Sequence, residues 1–178
     1  GQKYHFNSNG ILSNTTSPTG SRTIKNYLAG ALQPVGQALY VWGGGWNDST
    51  RKGTSQTMTD FYNSQSSSYD YNNYRDLSTA NRAKGFDCSG FVYWCLNQVG
   101  VRQSYLTSSG WRSVGKYQKI TSFSNLRAGD IIVVSGHVGI VANGGTVIDA
   151  SSGNGKVVHR SLSSWWANNF ICGWRIFG

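Results

Sequence analysis

Cys88, His137 and Asp149 are the residues of this 178-residue chain whose types and placement could carry chemistry. Cys88 opens the run Cys88-Ser89-Gly90-Phe91-Val92-Tyr93-Trp94-Cys95-Leu96-Asn97-Gln98-Val99-Gly100. Cys88, Phe91, Val92, Cys95, Leu96 and Val99 recur at helical spacing, which predicts a helix with one continuous apolar stripe. Asp87 stands where an N-cap would go and Gly100 where a left-handed C-terminal cap would go. Cys88 then falls in the first turn, where free backbone N–H groups and the helix dipole stabilise an anion. The thiolate is the nucleophilic form of cysteine. On position alone Cys88 also reads as a small buried hydrophobe, as most free cysteines do. Cys95 lies two turns deeper with no helix end beside it and reads as core. The two cannot pair, because the intervening rise of ~10 Å exceeds the ~7 Å reach of a disulfide.

A reactive cysteine needs a base within hydrogen-bond reach. Of the three histidines, His137 begins a β-branched run and is flanked by Gly136 and Gly139. That run ends in Asn143-Gly144-Gly145, a strong turn signal. With these three as the loop, Gly139 faces Asp149, and His137 and Asp149 become diagonal neighbours on one sheet face. A two-residue loop would put them on opposite faces, unless a bulge intervened. Aspartate is disfavoured in strands, so Asp149 within Val147-Ile148-Asp149-Ala150 calls for a reason. Holding the imidazole in one tautomer and stabilising the imidazolium would supply one. His159 has no such company and reads as a surface strand residue.

The elements that must position these residues follow from the rest of the chain. Residues 1–22 are polar and read as a tail or linker. From Thr23 to about Ala38 the pattern is helical, weakened by Pro34 and Gly36. Residues 47–84 are rich in Ser, Asn, Thr and Tyr and too long for an ordinary loop. They read either as a lobe beside a cleft with tyrosines as stacking platforms, or as a surface excursion that buries its tyrosines locally. A polar connection spans 101–124. Strands are expected over Asp130–Ser135, Gly136–Ala142, Thr146–Ala150, Lys156–Arg160 and Phe170–Ile176. Helices first and a meander afterwards make an α+β fold, with the Cys88 helix packed on a mostly antiparallel sheet of about five to six strands.

Bulk properties set outer bounds. The length suits one domain with a real core. The formal net charge of +9 is scattered along the chain, which favours a polyanionic partner over a dedicated nucleic-acid motif. No apolar run approaches the ~20 residues of a membrane span. The chain starts at Gly1, so a leader or an upstream domain is expected to precede it. Three cysteines give no complete disulfide framework, and Cys172 reads as structural. Neither C-x-x-C nor H-E-x-x-H occurs, so no metal site is expected.

Phe86-Asp87-Cys88-Ser89-Gly90-Phe91, then Leu126-Arg127-Ala128-Gly129-Asp130 entering a strand, then Gly136-His137-Val138-Gly139-Ile140-Val141 together resemble the signature of NlpC-type cell-wall cysteine peptidases. Tyr40-Val41-Trp42-Gly43-Gly44 is similar to that family's upstream tyrosine motif. The match covers roughly residues 25–46 and 85–178. The resemblance implies a papain-like fold, with 23–178 as a single catalytic domain carrying an insertion at 47–84. It implies cleavage of peptidoglycan stem peptides between D-glutamate and the diamino acid, with no cofactor. Cys88 is then the nucleophile, His137 the base and Asp149 the third residue, where the family often has histidine. That departure should make His137 more basic. Tyr40 matches the tyrosine beside the nucleophile, with Trp42 near it, and Asp87 and Ser89 match positions that contact the peptide's amine. The implied protein is a secreted or wall-associated monomer that binds anionic peptidoglycan, not nucleic acid. Three rivals stand beside it: a papain-like amidase cutting between sugar and peptide, an acyl transferase, and a catalytically inactive wall-binding module.

Overall fold

The computed structural model describes residues 22–36, 38–40, 45–46 and 85–178. Trp42, the 1–21 tail and the 47–84 segment lie outside the described residues. Helix α1 is Ile24–Leu32, capped by Thr23, whose hydroxyl accepts from the Asn26 N–H at 3.1 Å. It stops short of the sequence expectation because proline disfavours helix in the residue before it, and the chain turns through Pro34 to Gly36, where φ is 75°. Two-residue strands follow: β1 Leu39–Tyr40, β2 Gly45–Trp46 and β3 Gly85–Phe86. Helix α2 is Cys88–Gln98.

The C-terminal half is strand-rich. β4 (Gln118–Ile120), β5 (Ile131–Val134), β6 (His137–Ala142), β7 (Thr146–Ser151), β8 (Lys156–Ser161) and β9 (Phe170–Arg175) are joined by antiparallel pairings. Helix α3, Ser164–Asn168, interrupts the run before β9. With the three short strands they make, among the described residues, one nine-stranded sheet, ordered β2-β3-β1-β8-β7-β6-β5-β9-β4. β1 and β3 pair in parallel, which sets Tyr40 opposite Phe86, two residues before Cys88.

Helix α2 packs on β6 and β7 with α1 and β2 also against it. All six residues of the expected stripe are buried, and so are Ser89, Gly90 and Trp94. The helix is therefore covered nearly all round, because β2 and β3 close the side that a lone stripe would leave to solvent. Its C-terminus is a Schellman motif. The Gly100 N–H donates to the Asn97 carbonyl, the Val101 N–H to that of Leu96, and Gly100 takes φ 74°.

The Arg127-Ala128-Gly129-Asp130 turn fixes the entry to β5. The Asp130 carboxylate is 1% exposed. It accepts from the Arg127 N–H at 2.8 Å and from Arg175 Nε and Nη2 at 2.9 and 2.8 Å. One buried acid thus ties a tight turn to the last strand. Truncating one partner of a buried ion pair strands the other charge. Asp130→Ala should lower unfolding stability by about 3 kcal/mol, read as an urea-denaturation shift with the far-UV signal of the folded state preserved.

Candidate active site

The N-terminus of α2 is built by Asp87. Its Oδ1 accepts from the Gly90 N–H at 2.7 Å and from the Ser89 hydroxyl at 3.3 Å. Ser89 Oγ lies 2.8 Å from the Tyr105 hydroxyl, and Tyr105 meets Tyr93 edge to face at 5.8 Å. Asp87 and Ser89 are both buried. This cap holds Cys88, 8% exposed, as the first helical residue. Tyr40 is buried nearby, its backbone N–H bonded to the Gly155 carbonyl at 2.8 Å.

His137 arrives from the sheet. The β6–β7 register pairs Ala142 with Thr146, Val141 with Val147 and Ile140 with Ile148. The connecting loop is therefore Asn143-Gly144-Gly145, and His137 and Asp149 share a face. His137 Nε2 lies 2.7 Å from Asp149 Oδ2. Gly139 makes this possible: a Cβ there would lie 3.0 Å from Val147 Cγ2, 3.2 Å from Asp149 Cβ and 3.3 Å from Trp166 Cη2. Cys88 lies close enough to the His137 ring to raise its proton affinity. Because Asp149 occupies Nε2, the nitrogen left for the thiol is Nδ1.

A fourth residue joins them. β8 pairs Asp149 with Val158 and Val147 with Arg160, so Arg160 is the diagonal neighbour of Asp149 on the other side. Arg160 Nε donates to Asp149 Oδ1 at 3.0 Å and Nη2 to Oδ2 at 2.7 Å. Asp149 has no exposed surface, so its charge is carried by these two cationic partners. Trp166 backs the group, with its ring 5.4 Å from the His137 ring and 5.4 Å from the Arg160 guanidinium. Trp165, 47% exposed, stands beside His137 at 6.4 Å. Sequence reasoning did not reach Arg160, Tyr105 or the Trp pair. The signal for Arg160 was parity, two residues beyond the partner of Asp149, but it required the β7–β8 register.

The remaining cysteines and His159 can also be placed. Cys95 and Cys172 are buried and free, and burial raises both thiols above their ordinary value. His159 is exposed and bonds the Thr146 hydroxyl at 2.8 Å. Among the described residues no three His, Cys, Asp or Glu side chains gather as a metal site, and no helix is long and apolar enough to cross a membrane.

The family model for NlpC/P60 matches residues 36–175. The chain belongs to the NlpC/P60 family. A peptidoglycan DL-endopeptidase, CwlO, of Bacillus licheniformis is 30% identical over 90 residues, which is 48% of this chain and 20% of that protein. The similarity thus spans about a fifth of this relative's length. Among solved structures, the peptidoglycan hydrolase RipB of Mycobacterium tuberculosis superposes with TM-score 0.58 at 22% identity, covering 90% of this chain and 67% of that one. RipD of the same organism, described as a non-catalytic NlpC/p60 domain protein adapted to peptidoglycan binding, superposes at 0.56 with 18% identity over 86% of this chain and 97% of that one. These likenesses establish the NlpC/P60 papain-like fold, with helices packed on a mostly antiparallel sheet.

The electrostatics of this NlpC/P60 site follow from its geometry. Burial by itself would lower the His137 pKa. The hydrogen bonds to Asp149 and then to Cys88, with their charges, outweigh it and raise the value from 6.5 to about 9. A raised folded-state value stabilises the fold fully below pH 6.5, and the contribution fades as pH climbs through about 9. Stability should therefore fall between these limits by roughly 3 kcal/mol at most. Asp149→Asn should flatten this slope, as read from denaturant midpoints measured at intervals across the window.

Proposed function

We propose that this chain is a peptidoglycan hydrolase that cleaves stem peptides through a Cys88 acyl-enzyme. The observation that carries the reading is His137, bonded at Nε2 by buried Asp149 and electrostatically coupled to Cys88 at a capped helix N-terminus. The Cys88 thiolate attacks the carbonyl carbon and a C–S bond forms while the carbonyl electrons move to oxygen. Backbone N–H groups at the start of α2 face the oxyanion, with Tyr40 as a further donor. The His137 imidazolium gives its Nδ1 proton to the leaving amine as the C–N bond breaks. The neutral ring then takes a proton from water, the resulting hydroxide attacks the thioester, and Cys88 leaves as thiolate. Asp149 holds the ring and stabilises the imidazolium throughout.

The bond we assign is the one between D-glutamate and the diamino acid. It is supported by the motif resemblance and by the DL-endopeptidase activity named for the Bacillus licheniformis relative. Asp87 and Ser89 lie in the first turn beside Cys88, and we assign them, with Tyr40 and Trp42, to the acyl side of the substrate. Residues 23–178 would form one catalytic domain interrupted at 47–84. The protein would act outside the cell on the wall, as a monomer whose basic surface is attracted to an anionic polymer.

Incubating the protein and its Cys88→Ala variant with muropeptides of two wall types tests this. Mass spectrometry should find fragments split after D-glutamate with the wild type alone. Intact stem peptides freed from glycan would indicate an amidase, and products from both proteins would remove Cys88 as nucleophile. Binding by both with no products from either would favour a wall-binding module such as that described for RipD.

A further inference from the structure

A cavity of about 420 Å³ opens beside His137, and no residue of α2 lines it. Its walls include His137, Arg160, Trp165, Ser151, Ser152 and Gly153. Among the described residues no Asp or Glu lines it. Its place relative to the reaction is set by chemistry. His137 protonates the leaving amine, so the residue carrying that amine must lie against the imidazole. A cavity walled by His137 and not by Cys88 is on that leaving side.

The charge of the walls is also determined. Asp149 lies behind the cavity and is shared by two cations, His137 and Arg160. With the imidazolium formed, the group of three carries one net positive charge in a region where water is partly excluded. Arg160 uses Nε and Nη2 for Asp149, which leaves Nη1 outside that pairing. Its side chain is 36% exposed and therefore reachable from the cavity it lines. The ring of Trp166 beneath the guanidinium fixes the plane of its donors. Ser135, Gly136, Ser151, Ser152, Gly153 and Trp165 supply the remaining wall.

We infer that this cavity is a subsite for the leaving residue of the substrate and that Arg160 reads a free carboxylate on that residue. The inference rests on the hydrolase reading above and adds the chemical class the leaving side selects: a diamino acid with an unmodified carboxylate rather than its amide. A carboxamide has nearly the same shape, carries no charge and offers N–H donors to a wall already rich in donors.

Matched synthetic stem peptides, with the carboxyl groups of the leaving residue free or amidated, test it. The acid should be cleaved with kcat/KM at least about tenfold above the amide, the scale of one hydrogen bond to a charged group. Arg160→Gln should bring that ratio near one, and Arg160→Lys should keep part of it. The ratio is the readout because both peptides need the same Cys88, His137 and Asp149. A variant that only disturbed Asp149 would slow both peptides and leave the ratio standing. Calorimetric binding of the two peptides to Cys88→Ala should show the same preference without turnover. A wild-type ratio near one, or a ratio unmoved in both Arg160 variants, overturns the inference while cleavage continues. Cleavage of neither peptide, with binding of neither, overturns the hydrolase reading beneath it.

Discussion

The carboxylate of Asp149 has no exposed surface, and the active-site half of the molecule is arranged around keeping it satisfied. A buried charge is tolerated only when it is paired and hydrogen-bonded. Here the pairing is supplied by strands on both sides, His137 from β6 and Arg160 from β8. The two partners are held by the same sheet register, so the ring orientation is a property of the sheet and not of a flexible loop. Gly139 leaves room for Asp149, and Trp166 closes the face behind it. This gives His137 a fixed direction and a high proton affinity at once.

The second constraint is the first turn of α2. Its N-terminus is buried, so its unpaired N–H groups need partners, and Asp87 takes one of them. The helix is buried almost all round, which leaves Cys88 no freedom to drift from the sheet. The parallel pairing of β1 with β3 brings Tyr40 to the same place from a distant part of the chain. The site is therefore assembled from three independent elements, each rigid for its own packing reason.

The parts of this arrangement that depend on local pattern were legible in the sequence. The apolar stripe, the Asp87 and Gly100 caps and the five long strands each have a short-range signal, and each appears within a residue or two of its expected place. The His137–Asp149 pair was legible because the Asn143-Gly144-Gly145 loop fixes parity. Arg160 was not legible, because the turn between β7 and β8, Ser152-Gly153-Asn154-Gly155, does not fix one register from its residues alone. The two-residue strands β1 and β3 pair across a long stretch of chain and have no period of their own. Tyr105 sits in a segment without regular structure, and α3 is too short to show an amphipathic pattern. Trp42 and the 47–84 segment fall outside the described residues.

Asp149 makes His137 a strongly basic imidazole beside Cys88, and a nitrogen-15 NMR titration of the ring reads this without an intermediary. His137 should stay an imidazolium through neutral pH and titrate near 9, and Asp149→Asn should bring it back toward 6.5. A wild-type ring that titrates at or below 6.5 would contradict it.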